Sequence, residues 1–318
     1  MIARRTFVKG ASLAALAAST SRIYVRESFA QQVPNSSGTE PAKVKAPSGA
    51  CDCHHHIYDV ARFPQPAGAR GAIANARVEE FRLLQKRIGT TRSIIVQSGA
   101  YLTDNRVTLD AIAQLAGNSR GVAVVHPSIT AAELKVLNDG GIRGIRFSLG
   151  GANVPATAFD MIEPLAKRVH DFGWHLQLNM EAHQILAAEA LWDRVPTPLV
   201  FDHMGHIPQP QGVEDPTYKL IRRLIDKGRT WVKLSVTYDS SKDGPPGYAD
   251  VNKLGQAYVK AAPERMLWGS NWPHPNETKK PNDAILFDLM AQWAPDEMTR
   301  HRILVENPQT LYGFAKAV

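Results

Sequence analysis

The chain has 318 residues, 44% of them hydrophobic, and a formal charge of +7. That charge is concentrated at the start: Arg4, Arg5, Lys9, Arg22 and Arg26 against Glu27 give the first thirty residues +4, which leaves +3 for the rest. With no basic block to track phosphates and no later stretch long and apolar enough to span a bilayer, nucleic acid and a stable membrane span are excluded.

In chain order, Arg4-Arg5-Thr6-Phe7-Val8-Lys9 reads as a twin-arginine segment followed by the short apolar run Ala11 to Ala18. Small residues at Ser28 and Ala30 suit signal peptidase. Residues 1–30 are therefore expected to be a twin-arginine signal peptide, removed on export by the twin-arginine machinery to a periplasmic or secreted location. Residues 31–48, rich in Pro, Ser, Gly and Lys without periodicity, read as a flexible linker. Residues 49–318 are long enough for one large domain.

From residue 50 on, apolar β-branched runs alternate with amphipathic stretches. Strands are expected at Ala50–His56, Arg92–Gln97, Gly121–His126, Ile142–Phe147, Trp174–Leu178, Leu199–His203, Trp231–Ser235 and Met266–Asn271. Helices are expected between them, at Val78–Ile88, Asn105–Leu115, Ala131–Asn138, Phe159–Phe172, His183–Trp192, Tyr218–Lys227, Val251–Ala261 and Asn282–Trp293. Eight strand–helix units argue an α/β fold, a closed (β/α)8 TIM-type barrel. No Gly-x-Gly-x-x-Gly follows the first strand, which disfavours an open dinucleotide-binding sheet.

Active sites of such barrels lie at the C-terminal strand ends, and here those ends are polar. Strand one carries Asp52-Cys53-His54-His55-His56, where alternation puts His54 and His56 on one face and His55 on the other. The second strand leads into Tyr101, Asp104 and Asn105; the fourth carries Arg143 and Arg146, of which only one can face the interior. The fifth carries His175, the sixth ends in Asp202-His203, the seventh carries Lys233 with Tyr238 beyond it, and the eighth ends in Asn271 with His274 following. Alternation from His203 would point Asp202 away from the lumen. Cys51 and Cys53, two apart on one strand, are too close for an unstrained bridge and read as buried packing residues.

His54-x-His56, Phe201-Asp202-His203-Met204-Gly205, Trp268-Gly269-Ser270-Asn271-Trp272-Pro273-His274 and the ending Asn307-Pro308-Gln309-Thr310-Leu311-Tyr312-Gly313 together resemble the amidohydrolase superfamily. Tyr101-Leu102-Thr103-Asp104-Asn105-Arg106 is similar to its amidohydrolase-related branch, which contains 2-pyrone-4,6-dicarboxylate lactonase, sulfomuconolactone hydrolase and galactarolactone isomerase. The resemblance spans Gly49 to Phe314. It implies a hydrolase with His54, His56, His175, His203 and Asn271 as catalytic positions. Tyr101, Asp104, Asn105, Arg146, Lys233, Tyr238 and His274 are expected to contact the substrate.

Metal-dependent members hold an ion with the His positions and a strand-eight Asp. This chain departs there, with neutral Asn271 in place of the Asp and Arg143 and Arg146 on the fourth strand. The expectation is a lactonase acting on a small carboxylated cyclic ester without a required metal. Its carbonyl would be polarised by His54, His56 and His203, with a His or Asp104 as base. Lactone isomerisation, a zinc-type hydrolase or decarboxylase holding one divalent ion on His54, His56 and His175, and a non-catalytic periplasmic binder are the alternatives.

Overall fold

The computed structural model describes residues 32–69, 73–150 and 156–316; the expected signal peptide lies outside the described residues. Eight parallel strands lie in sequential order: β1 (Cys51–His55), β2 (Arg92–Val96), β3 (Ser119–Ala123), β4 (Ile142–Ser148), β5 (His175–Asn179), β6 (Leu199–Phe201), β7 (Thr230–Leu234) and β8 (Met266–Trp268). Each is followed by helical segments, so the fold is the expected (β/α)8 barrel. No helix among the described residues is long and apolar enough to cross a membrane.

The seam between β8 and β1 is closed partly by a side chain. Asn271 N donates to His54 O (2.7 Å) and His56 N to Trp272 O (2.8 Å). Between them the Asp52 carboxylate accepts from Ser270 N (3.0 Å), Ser270 Oγ (2.6 Å) and His54 N (3.1 Å), where a ladder carbonyl would otherwise serve. Gly269 permits this approach, because a Cβ there would fall 2.6 Å from the His54 Cβ.

Asp52 is fully buried, and burial, which outweighs the hydrogen bonds from Ser270 and His54, pushes its carboxyl up to about 7. The folded protein therefore holds a proton there that the unfolded chain releases near pH 4. Stability should accordingly fall as pH rises from about 4 to about 7 through this group. Asp52→Asn keeps the shape and both acceptor and donor capacity. It is expected to flatten that segment of the stability–pH curve and to raise stability at pH 7, measured by urea unfolding at several pH values. An unchanged curve would show that Asp52 does not carry this proton.

Alternation along the strands separates a helix-facing layer from a lumen-facing one. Ile95, Ile145, Phe147, Leu176, Leu178, Phe201, Val232 and Leu234 pack outward with the helices. Cys51, Cys53, Ile94, Val96, Val122, Val200, Trp231 and Leu267 pack inward, with Tyr312 and Phe314 from the chain's end. Both cysteines are free and buried, as expected. At that deep level His175 is covered by Gly144, where any Cβ would overlap its ring, and meets Tyr312 edge-on at 5.2 Å.

The segment read as a flexible linker is instead a fixed arm. Val33 is buried. Trp272 Nε1 donates to Pro34 O (2.7 Å), and the Arg87 guanidinium donates to Glu40 O (2.8 Å), Ser37 O (3.0 Å) and Asn282 Oδ1 (2.7 Å). Composition missed this because the arm is held through its backbone carbonyls, not through an apolar pattern of its own.

Candidate active site

The parity that buries Trp231, His175, Gly144 and Val200 also sends Lys233, Gln177, Arg146 and Asp202 into the lumen, one layer nearer the mouth. This corrects the expectation for Asp202. Its strand parity follows Val200, while His203 reaches the same side only because its φ of 53° leaves the strand conformation. In β1 a register irregularity between Asp52 and His55 turns His54 inward and His55 outward, where His55 stacks on Phe81 at 3.6 Å. Arg146 is the inward arginine; Arg143 turns to the carbonyls of Asn138 and Ile142.

Asp202 is the hub of this layer. Its Oδ2 accepts from Gln177 Nε2 (3.0 Å) and Arg146 Nε (3.2 Å). Its Oδ1 lies 3.2 Å from His54 Nδ1 and 3.6 Å from Lys233 Nζ. Lys233 also donates to Gln177 Oε1 (2.6 Å). Burial alone would raise the Asp202 carboxyl, but His54, Lys233 and Arg146 outweigh it and hold the group well below the usual carboxylate range. Burial lowers Lys233 to about 8, so it stays mostly cationic at neutral pH. Lys233 has no exposed surface and lies outside the lining of the cavity above, so it organises the layer and is not a substrate contact.

Above this layer opens a cavity of about 550 Å³, lined among others by His56, Tyr58, Arg146, His203, Tyr238, Asn271 and His274. His54 lies beneath it, its ring centroid 5.0 Å from that of His56 and 4.7 Å from that of His203. Burial depresses all three imidazoles, His56 to about 3, so they are neutral near pH 7. His56 Nδ1 donates to Val96 O (2.8 Å), which leaves Nε2 as a bare acceptor. A neutral His56 in that tautomer cannot donate to an ester carbonyl, contrary to the polarising role expected of it. His203 Nδ1 pairs with Ser235 Oγ (2.8 Å). The cation that faces the cavity from this layer is Arg146, whose Nε is taken by Asp202.

The loops after β6, β7 and β8 turn their side chains to the cavity through left-handed backbone at His203, Val236, Asn271 and His274. Asn271 Nδ2 donates to Tyr238 Oη (2.9 Å), and Tyr238 Oη lies 2.9 Å from His274 Nδ1. At the rim His206 Nε2 pairs with Asn179 Oδ1 (2.9 Å) and its Nδ1 lies 3.3 Å from Asp239.

Beyond Lys233 and His54, four more of the expected site residues do not line this cavity. His175 sits a layer below, with burial lowering it to about 3, so the trio His54, His56 and His175 is not brought together around one point. Tyr101 lies behind Tyr58 and accepts from Asp59 N (3.2 Å). Asp104 turns outward to exposed Arg106 (2.7 Å), whose hydrogen bonds hold its carboxyl down, and it does not line the cavity. Asn105 is spent on both backbone groups of Val124 (2.8 and 3.0 Å). Conversely Asp202, Gln177 and Tyr58 belong to the site and were not among the expected catalytic or substrate-contacting residues; for Asp202 and Gln177 the inward parity of Val200 and His175 was the available signal.

A metal would find one donor set among the described residues, His54, Asp202 and His203, with ligand atoms within 4.8 Å of one another. That set fits a divalent ion poorly. Asp202 Oδ2 is hydrogen-bonded to Gln177 and Arg146, and although Oδ1 and His54 Nε2 have no hydrogen-bond partner, the Lys233 ammonium lies 3.6 Å from Oδ1 and 3.3 Å from His54 Nδ1, so an ion would have to displace a cation from that carboxylate.

A barrel with His-x-His on its first strand, a Lys–Asp–Arg layer in its lumen and a His-lined mouth is an enzyme architecture. The chain matches the amidohydrolase family over residues 51–314, belongs to that family, and is an enzyme of the amidohydrolase superfamily. It is 33% identical over 281 residues to 2-pyrone-4,6-dicarboxylate hydrolase of Comamonas testosteroni, covering 84% of this chain and 91% of that one. It is 32% identical over 283 residues to D-galactarolactone isomerase of Agrobacterium fabrum, covering 87% and 94%. The apo crystal structure of an Agrobacterium tumefaciens protein superposes with a TM-score of 0.81 at 29% identity, over 89% of this chain and 99% of that one.

Proposed function

We propose that the protein acts on the ring ester of a small carboxylated lactone, opening it by hydrolysis, without an essential metal. The observation that carries this reading is Arg146, a guanidinium anchored by Asp202 and the one Lys or Arg among the described residues lining the cavity, whose more exposed wall also carries Glu181, Asp239 and Glu277. A fixed cation held at that depth suits a substrate carboxylate, and it would set the ester carbonyl near His203 and Asn271. The similarity to a hydrolase and an isomerase whose names both denote lactones supports the substrate class. Absence of an essential metal is supported by Lys233 and Arg146 holding the one carboxylate of the donor set.

Asn271 favours a second reading, lactone isomerisation. An amide cannot take a proton from water, and the site can equally accept a substrate hydroxyl as the attacking group. The twin-arginine segment supports export as a folded protein to the periplasm or beyond, with the substrate met there.

Proton NMR of the purified protein with a panel of carboxylated five- and six-membered lactones tests the function. Ring-opened acid is the expected product, and a migrated ring would select isomerisation. Lactones that all stay intact over the spontaneous rate would overturn both.

A further inference from the structure

We infer that Tyr238, His274 and Asp283 form a proton relay that supplies the base for this site, with Asn271 as the group that sets its direction. The relay rests on the lactone reading for its chemistry and on the following geometry for its existence.

Asp283 begins the helix Asp283–Asp288 and is fully buried. Both of its carboxylate oxygens lie 3.2 Å from His274 Nε2. A carboxylate only accepts, so His274 carries its proton on Nε2 and presents a bare Nδ1. That Nδ1 is 2.9 Å from Tyr238 Oη. From the other side the Asn271 amide can only donate through Nδ2, so the phenol oxygen accepts from it and turns its own hydrogen to His274. The two ends of the chain thus fix the same polarity. Tyr238, His274 and Asn271 all line the cavity, while Asp283 is reached only through His274.

The same geometry gives a reason for an amide at position 271. A carboxylate there would compete with His274 for the phenol hydrogen and reverse the polarity at Tyr238. The neutral residue that removes the strand-eight base is the one that lets the relay work. Two other groups near the cavity make poor bases, since burial keeps His56 neutral down to about pH 3 and Asp104 faces away.

In the reaction, the attacking oxygen, of water or of a substrate hydroxyl, bonds to the ester carbonyl carbon and loses its proton to Tyr238 Oη. Tyr238 passes its own hydrogen to His274 Nδ1, and the resulting imidazolium rests against the Asp283 carboxylate. When the tetrahedral centre collapses, the ring C–O bond breaks. The proton then returns by the same path to the departing oxygen. Tyr238 is the catalytic residue; His274 and Asp283 position and receive its proton.

Two measurements test this independently. Nitrogen-15 NMR of histidine-labelled protein, with His274→Gln for assignment, is expected to show a pyridine-type Nδ1 and a pyrrole-type Nε2 at His274. The inverted tautomer would overturn the relay whether or not any lactone reacts. With the lactone turned over fastest, Tyr238→Phe is expected to cut kcat by about 100-fold or more with KM within about 3-fold, as for loss of a positioned acid–base group. Asp283→Asn is expected to lower kcat with KM within about 3-fold, and Asp283→Glu to recover part of the loss, a split that a packing defect would not produce. Wild-type kcat in Tyr238→Phe would refute the relay, whereas a wild-type protein inert to every lactone would refute the substrate class alone.

Discussion

Asp202→Asn is expected to destabilise the protein by about 3–5 kcal/mol and to abolish turnover, because it removes the one carboxylate that faces two buried cations. Lys233 has no exposed surface, and Arg146 little. With Asn in place, one of the two positions near them becomes an NH2 donor opposed to donors, and the lysine is left as an uncompensated charge inside the barrel. The loss also has a pH signature. Because the folded carboxyl lies below its unfolded value, its contribution is present above about pH 4 and fades as pH falls toward the depressed folded value. Urea unfolding of the two proteins should therefore differ most near neutrality and converge in acid. A loss under about 1 kcal/mol at pH 7 would mean that Asp202 is not the hub of the layer. Asp52→Asn should have the opposite sign. Both carboxyls are wholly buried, yet Asp202 faces cations and Asp52 only neutral donors.

Arg146→Ala is expected to raise KM for a carboxylated lactone on the order of 10- to 100-fold, the worth of a charge-assisted hydrogen bond to a carboxylate. Its effect on stability should be smaller than that of Asp202→Asn, since Asp202 keeps His54, Gln177 and Lys233. Arg146→Lys should recover little of the affinity. The shorter ammonium cannot hold Asp202 with one nitrogen while presenting others to the cavity. Steady-state kinetics on the three proteins decides this, and an unchanged KM in Arg146→Ala would place the carboxylate contact elsewhere.

The barrel could be read from the sequence because its strands are apolar on both faces and its helices amphipathic, which fixes period and order. Residues at strand ends were harder to place. Leu199–His203 was expected as one strand, but pairing stops at Phe201 and left-handed backbone at His203 brings two consecutive side chains to the same side. No alternation rule anticipates that turn. Met266–Asn271 shortened for the same reason, as Gly269 to Asn271 leave the ladder to close the seam on Asp52 and His54.

His175 was misassigned because a strand-five histidine suggests a ligand by type, whereas its position at the start of β5 sets it a layer too deep. Asp104 and Asn105 follow β2 closely in sequence, but the short helix Gly99–Tyr101 carries the chain outward before it reaches them. Asp283 gave no signal at all, since its role depends on the chain folding back over nine residues to bring it against His274. What the sequence did carry was the unusual Asn271, and its meaning became physical only once Tyr238 was seen to take the hydrogen bond.

Lactone turnover without a metal is decided by proton NMR of a carboxylated lactone with protein dialysed exhaustively against chelator and shown by elemental analysis to be free of zinc and manganese. The lactone ring is expected to be opened or rearranged at the rate of the undialysed enzyme. Conversion that stops on chelation and returns with zinc would contradict it.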